Sequence, residues 1–535
     1  YKFEWKGKME SLKLAQKRST GTLRPCKAES VNFDETQNLY IEGDNLEVLK
    51  LLQTAYYNKI KMIYIDPPYN TGNDFVYEDD FADPMARYKE VTSQTTKSNP
   101  ETMGRYHTNW LNMMYPRLRL AHNLLTDDGV IFISIDDTEV FNLKKICDEV
   151  FGEENFVTNV IWEKKYAPAN DAKWLSDVHD NILIYAKNKN DWHPRLLPRG
   201  EEQNSRYTNR DNDPRGVWKA ADMTVKSYSS AYDYPITTPS GRVVHPAQGR
   251  CWNTSKENFE KLVADNRIWF GESGDNVPAV KKFLTEVKDG VVPVTIWKYT
   301  DVGHNQEGRQ EVKKLFDDKG FFDGPKPTRL LDRILSIANI KENDIVLDFF
   351  SGSATTAHAV MEYNLKNDTQ IRFICVQLPE MIEEKSEAFK EGYKNICEIG
   401  KERIRRAGKK ILEENAQTEL GDEEKKPLDI GFKVFKLDTS NLKTWDGTPI
   451  EDRQIDIFYE RLNSMIDTVK DDRTDMDVVY EVMLKMGIPL DVEVQYMEIG
   501  DKIAYIVGDF ILMICLAKNI TAEDIENMAQ YAPAK

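Results

Sequence analysis

The chain has 535 residues, 30% of them charged and 40% hydrophobic, and a formal net charge of −17. That length exceeds one ordinary core and predicts two to four domains, while the lack of any run of about eighteen apolar residues or of a secretory pattern argues against a membrane span and makes the cytoplasm the expected location. Six cysteines without a C-x-x-C pair and seven histidines without ligand spacing argue against a disulfide framework and a zinc site.

The net charge sits poorly with a nucleic-acid partner until it is divided along the chain. Residues 411–535 hold 13 basic against 27 acidic side chains, a balance of −14 that leaves −3 for residues 1–410. At the N-terminus, Lys2, Lys6, Lys8, Lys13, Lys17, Arg18, Arg24 and Lys27 stand against Glu4 and Glu10. Residues 1–38 are therefore expected to form a basic arm, either a solvated tail or a phosphate-contacting one.

Residues 39–155 read as the first part of an αβ domain. An apolar stretch at 39–41 leads into an amphipathic helix over 46–52, and the run Lys61-Met62-Ile63-Tyr64-Ile65 then predicts a buried strand that delivers Asp66-Pro67-Pro68-Tyr69 at its end. After a polar loop to about residue 104 come a helix over 106–125, the turn Asp127-Asp128-Gly129, a strand over 130–135 and a helix over 138–151. Strands alternating with helices predict a parallel, doubly wound sheet.

From 156 to 322 the periodicity breaks down, and Trp162, Trp174, Trp218, Trp252, Trp269 and Trp297 alternate with polar residues, the pattern of an inserted mixed domain. The αβ pattern returns over 323–415 with a helix at 328–338, a strand at 344–349, a helix to 363, a strand at 371–377 and a long helix to about 414. That last helix carries Lys401, Arg403, Arg405, Arg406, Lys409 and Lys410, a patch read first as a solvated face, with a partner surface and a DNA contact as the alternatives. Beyond an acidic linker near 417–426, residues 428–535 predict a smaller α+β domain for interaction or dimerisation, with a β-meander over 496–515 and a short helix from 522.

Two strings carry chemistry. An exocyclic amine on adenine or cytosine shares its lone pair with the ring, so it becomes a nucleophile only when acceptors draw on its N–H groups. Asp66 supplies one acceptor and the Pro67 carbonyl another, since Pro68 fixes the backbone and offers no N–H of its own. Tyr69 presents a flat face for an unstacked base. The plainer alternative is a Pro-rich turn that ends a core strand. The second string runs from Asp348 through Phe349-Phe350-Ser351-Gly352-Ser353-Ala354 to Thr355 and Thr356, a strand passing through a small-residue turn into a helix. Such a turn lets a ligand approach the backbone closely. It follows the first string by about 280 residues, although both must face one crevice to react, and a circular permutation of the sheet reconciles the two.

With these strings in this order the chain resembles the β class of S-adenosylmethionine-dependent amino-methyltransferases. The stretches DPPYNTGNDFVYEDDF (66–81), GVIFISIDDTEVFNLKKICDEVFGEENF (129–156), GRCWNTSKENFEKLVADNRIWFG (249–271), PKPTRLLDRIL (325–335) and RFICVQLPE (372–380) make it similar to the modification (Mod) subunits of type III restriction-modification systems. The resemblance implies a circularly permuted, Rossmann-like methyltransferase sheet with an inserted target-recognition domain, acting on N6 of adenine in double-stranded DNA. It also implies a homodimer and a helicase-nuclease Res partner, with no metal required. Catalysis would fall to Asp66, Pro67, Pro68 and Tyr69. Cofactor binding would fall to Asp348, Phe350, Ser351, Gly352, Ser353, Thr355, Thr356, Lys326 and Pro327, the last two in a segment that closes over the cofactor. Where many relatives place an acid for the ribose hydroxyls, this chain has Gln377 with Glu380 nearby, and Ala354 replaces a usual glycine. The rival readings are an N4-cytosine methyltransferase and a non-catalytic DNA-recognition subunit.

Overall fold

A computed structural model describes residues 2–71, 105–170, 172–287, 290–322, 324–418, 427–444, 448, 455–464 and 468–535. The chain divides into two compact units, Tyr1–Pro194 with Val294–Lys535, and Arg195–Pro293.

The larger unit is a mixed α/β fold around a ten-stranded sheet. Its strands in chain order are β1 (Gly21–Pro25), β2 (Leu39–Glu42), β3 (Ile60–Ile65), β4 (Leu125–Ile135), β5 (Phe156–Glu163), β6 (His179–Ala186), β7 (Ile296–Trp297), β8 (Ile345–Asp348), β9 (Arg372–Gln377) and β10 (Lys433–Thr439). In space they run β1-β10-β2-β9-β8-β3-β4-β6-β5-β7. The six strands from β10 to β4 are parallel to one another, and β1 and β6 pair antiparallel at either side. Every residue of β2, β3 and β8 is buried. Parallel strands covered on both faces need such unbroken apolar runs rather than alternation. Lys61 is the exception in β3: its Nζ reaches the carboxylate of Asp128 at 2.5 Å.

The helices are α1 (Lys8–Gln16), α2 (Asn45–Tyr56), α3 (Arg105–Leu124), α4 (Val140–Phe151), α5 (Asn305–Leu315), α6 (Thr328–Ile337), α7 (Thr355–Asn367), α8 (Ile396–Thr418) and α9 (Asp475–Met486). Side chains of α1 to α4 and α9 share one core with Ile41, Ile63, Ile133, Leu347 and Val376 of the sheet. The alternate strand residues Tyr40, Met62, Phe132, Val346 and Cys375 are equally buried toward the other face, where α7 packs on β9 and against α6 and α8. Asp44 caps α2 by accepting from the amides of Leu46 and Glu47. Arg117 of α3, fully buried, donates to Asn45 Oδ1 at 2.5 Å, and Asn45 Nδ2 donates to the carbonyl of Phe349 at 2.6 Å. One buried chain of bonds thus joins α3, the start of α2 and the exit of β8.

Four expectations change. The first 38 residues are not an arm: β1 completes the sheet edge with Leu23 opposite Leu437, and Leu23 is fully buried. Lys8 pairs with Glu149 at 2.6 Å, and Arg24 grips Asp477 with two nitrogens. The region 156–322 is not one inserted body, because β5, β6 and β7 extend the main sheet and only 195–293 stands apart. That smaller unit has an antiparallel sheet of Ile268–Trp269, Ala279–Phe283 and Trp218–Asp222 and a core including Met223, Trp252 and Phe259. Nor is the basic face of α8 fully solvated, since Lys401 and Arg403 are buried and Lys401 pairs with Glu29 and Glu42. Finally, 428–535 is not a separate domain: β10, α9, the meander of Val494–Ile499, Lys502–Val507 and Leu512–Cys515, and the helix Ala522–Ala529 all lie in the main unit, and Val507, Leu512 and Ile514 join its core. Residues 419–426 of the expected linker and 72–104 of the expected polar loop lie outside the described residues.

If β1 is part of the sheet, Leu23→Ala lowers unfolding stability by about 2–5 kcal/mol, the range for truncating a core leucine. Urea unfolding checks this; a solvated arm would respond by less than about 0.5 kcal/mol.

Candidate active site

Because β3 and β8 are neighbours, with Ile63 beside Leu347, the two chemical strings leave the sheet side by side. Ligand crevices of open α/β sheets form at such carboxyl ends. Here a cleft of about 610 Å³ is lined by Asp66, Pro67, Pro68 and Tyr69 on one side, by Phe350, Gly352, Gln377 and Glu380 on the other, and by Lys326.

On the β3 side, Asp66 Oδ2 accepts from Lys326 Nζ at 2.6 Å, while its Oδ1 is buried with no hydrogen-bond partner among the described residues. Pro67 is buried, and the carbonyl of Pro68 accepts from the indole of Trp110 at 2.7 Å, which anchors the elbow to α3. Tyr69 Oη accepts from Lys326 Nζ at 3.0 Å and donates to Asp180 Oδ2 at 3.4 Å. Burial, and then the carboxylates of Asp66 and Asp180, push the Tyr69 phenol well above its ordinary pKa, so it remains protonated. Lys326 Nζ also stands 5.1 Å from the centroid of the Tyr69 ring. Asn70 turns the chain in the left-handed region, φ 62°, and bonds the buried Glu139 at 2.6 Å. Lys164 completes the cluster with a 2.7 Å ion pair to Asp180.

On the β8 side, Asp348 accepts from Thr356 Oγ1 at 2.5 Å and from the amide of Phe350 at 3.1 Å. Burial raises its pKa to about 7 despite those donors. Gly352 has φ 50°, and a β-carbon there would lie 3.2 Å from Phe322. Ala354 takes φ 61° at the start of α7, a conformation that costs a non-glycine residue roughly 1–2 kcal/mol. Ser353 and Thr355 face Arg403, which donates to their hydroxyls at 2.8 and 2.7 Å. Of the turn residues expected to touch a cofactor, Phe350 and Gly352 line the cleft, whereas Asp348, Ser353, Thr355 and Thr356 bond one another or Arg403 and brace the turn.

Two assignments shift. Gln377 lines the cleft, but its Oε1 accepts from the amide of Gly352 at 2.7 Å and its Nε2 donates to the carbonyl of Leu378, so its polar atoms hold the turn. Glu380 lines the same cleft, and among the described residues no hydrogen bond reaches its carboxylate; burial raises its pKa to about 7. Lys326, expected over a cofactor, is committed to Asp66 and Tyr69 instead, and Pro327 caps α6 at a buried position. Asp180, Lys164, Trp110 and Glu139 carried no sequence signal, because each is an ordinary polar or aromatic residue whose partners lie far along the chain.

The residues present fit a nucleoside cofactor. The turn approaches closely through Gly352, Ser351 Oγ is buried without a partner among the described residues, Phe350 gives an apolar wall, and Glu380 is an acceptor for hydroxyls. A hydrogen-bond acceptor, Asp66, and a ring, Tyr69, share that cleft. Fold and site together define an α/β group-transfer enzyme in which a cofactor and an amine acceptor meet at adjacent strand ends.

Residues 60–406 match the family model described as DNA methylase, and the chain belongs to that family. It is 38% identical over 470 residues to the type III restriction-modification enzyme StyLTI Mod subunit of Salmonella typhimurium, covering 83% of this chain and 67% of that one. With the EcoP15I Mod subunit of Escherichia coli it shares 33% identity over 492 residues, 82% of this chain and 71% of the relative. Among solved structures, the cytosine-N4-specific PvuII DNA methyltransferase aligns at 12% identity and TM-score 0.33 over 70% of this chain and 96% of that one.

Removing the acceptor that holds Gly352 leaves a buried amide unpaired. Gln377→Leu is expected to cost about 1–3 kcal/mol of stability in denaturant unfolding; a cost below about 0.5 kcal/mol would show that this bond does not hold the turn.

Proposed function

We propose that this DNA methylase transfers the methyl group of S-adenosylmethionine to N6 of adenine in double-stranded DNA, as the modification subunit of a type III restriction-modification system. The observation that carries the reading is the adjacency of β3 and β8, which brings the Asp66–Tyr69 elbow and the Gly352 turn into one cleft. The same adjacency supports a circularly permuted, doubly wound methyltransferase sheet, and the Mod relatives support recognition by the 195–293 unit, a Res partner and a homodimer. Among the described residues no helix is long and apolar enough to cross a membrane, and action on DNA favours the cytoplasm.

When bound, the cofactor supplies a sulfonium methyl, an electrophile with a good leaving group that needs no metal. The adenine is flipped out of the duplex and its ring lies on Tyr69. Asp66 Oδ1, buried and unpartnered, accepts one N6 hydrogen, and the Pro67 carbonyl accepts the other. With its hydrogens held by Asp66 and the Pro67 carbonyl, N6 would be the nucleophile toward the methyl the cofactor supplies, the C–S electron pair would stay on sulfur, and the surplus proton on nitrogen would leave to the open cleft. Lys326 supports this reading, because an amine already sits 2.6 Å from Asp66 and over the Tyr69 ring. Its charge holds the carboxylate in place until the neutral substrate amine enters. Positioning and electrostatics at the amine supply the rate.

Incubation with S-adenosylmethionine and mixed-sequence duplex DNA, digestion to nucleosides and mass spectrometry should yield N6-methyladenine; N4-methylcytosine instead would overturn the choice of base. Asp66→Ala is expected to lower kcat by about 10²–10³-fold or more while S-adenosylhomocysteine still binds; near-native turnover would sink the mechanism.

Glu380 adds a pH dependence. Its raised pKa means that the carboxyl is largely protonated below about pH 7 in the free protein, and ribose hydroxyls donating to it favour the ionised form. Affinity for S-adenosylhomocysteine should therefore rise with pH through about 7 and level off above it. Asp348 titrates in the same window, so the readout is the difference from Glu380→Gln, whose calorimetric binding profile should be flatter.

A further inference from the structure

We infer that the connection between β5 and β6 is a wedge for duplex DNA, whose tip, Trp174 and Leu175, fills the space left in the base stack when the target base enters the cleft. The inference rests on the base-flipping reading above and adds the surface that would open the duplex.

Trp174 is 84% exposed and Leu175 92%, the two most exposed large apolar side chains among the described residues. Leaving both in water forgoes the stabilisation that burial would give. Folding alone gives no reason for an adjacent apolar pair at a loop tip, and a contact made with a partner does. The tip is carried on a braced hairpin. Ala169 donates to Ser176 Oγ at 2.7 Å, Ala172 closes a turn onto the carbonyl of Ala169, and the amide of Lys164 bonds the carbonyl of Val178 at 2.9 Å.

The base of this hairpin is part of the reaction cleft. Lys164, Lys165, Asp177 and Asp180 line it with Asp66 and Tyr69, and Asp180 receives the Tyr69 hydroxyl. A flipped base leaves its gap next to the pocket that receives it, so a wedge must stem from the rim of that pocket. Trp174 and Leu175 stem from that rim, as does Tyr166, which is less exposed at 57% and lines the neighbouring groove instead.

Charge identifies the partner. A second groove of about 520 Å³ shares Lys164, Lys165 and Asn305 with the cleft and continues along α5 past Gln306, Arg309, Gln310 and Lys313. It has no acidic lining residue, and Arg309 and Lys313 form no ion pair with a described residue. Lys173 lies beside the tip with its Nζ 5.3 Å from the Trp174 ring. An apolar, partly aromatic tip flanked by unpaired cations fits a stacked duplex with its phosphates; a hydrophobic protein partner would leave those cations without counterparts.

The test uses the full chain and a duplex bearing the site mapped by sequencing plasmid DNA that the wild-type protein has methylated. A Trp174→Ala, Leu175→Ala double variant is compared with wild type on the matched duplex and on one with an abasic site opposite the target adenine, where the base is already unpaired. The variant is expected to lose at least about tenfold in kcat/KM on the matched duplex and to come within roughly threefold of wild type on the abasic one, because only the cost of opening the pair differs. Substituting 2-aminopurine for the target should give a fluorescence rise with wild type and little with the variant. Equal activity on the matched duplex, or an equal loss on both duplexes, would overturn the wedge alone. A wild-type protein that leaves the plasmid DNA unmethylated in the mapping step would overturn the methyl-transfer reading and the wedge with it.

Discussion

The ladder between β3 and β8 is the constraint on which the rest of the molecule depends. Two strands almost three hundred residues apart in the chain exchange backbone hydrogen bonds in parallel, with Val346 beside Met62 and Leu347 beside Ile63. Because parallel strands point the same way, everything that follows them emerges on one edge. A shift of one residue would turn every buried side chain of β3 to the opposite face and carry Asp66 with them. The unbroken apolar run Ile60–Ile65, buried throughout, opposes that shift on both faces at once.

Precision beyond the sheet comes from buried polar groups, each satisfied by a residue from a different element. Arg117 holds Asn45, Asn45 holds the carbonyl of Phe349, Gln377 holds Gly352, and Trp110 holds Pro68. Such bonds add little net stability individually, but leaving one partner unpaired costs more than the bond gives. The geometry at the two strand ends is therefore tied to the folded state as a whole. Arg403 differs: its Nε and one Nη are buried without partners, and burial lowers its pKa to about 10. Set between the α7 hydroxyls and the charges of Glu311 and Glu362, it is a cation under the turn whose desolvation is only partly offset.

How much of this could be read in the sequence depended on whether a residue's role followed from its neighbours in the chain. Asp66 and Tyr69 were legible because a rigid dipeptide separates them at the end of an apolar run, and the Gly352 turn because small residues interrupt a strand-to-helix pattern. Gln377 was read as a ligand-facing amide, yet its partner is an amide from another strand's exit, which no local pattern encodes. Lys326 was placed with the cofactor because of its segment, and its contact with Asp66 crosses 260 residues. The N-terminal charges misled for a related reason. Arg24 and Lys8 look like phosphate contacts until Asp477 and Glu149, far along the chain, arrive beside them. The same holds for Lys401 and Arg403, whose burial depends on elements that composition does not connect.

The distribution of charge explains how an acidic protein can act on a polyanion. The cleft holds Asp66, Asp136, Asp177, Asp180 and Glu380 against Lys164, Lys165 and Lys326. Such a cleft repels phosphate and accepts a neutral ring bearing N–H donors. The cations without acidic partners lie outside it, along α5 and the β5–β6 connection. For the proposed substrate this division is a requirement, since the base must leave the backbone behind to reach Asp66. A basic cleft would draw the phosphate in. Lys326 meets the opposite need: a single buried ammonium, held by Asp66 and by the Tyr69 oxygen, compensates the carboxylate while the cleft contains no base. The acidity of the cleft is then part of its selectivity for an amine, and attraction for DNA is left to the grooves beside it.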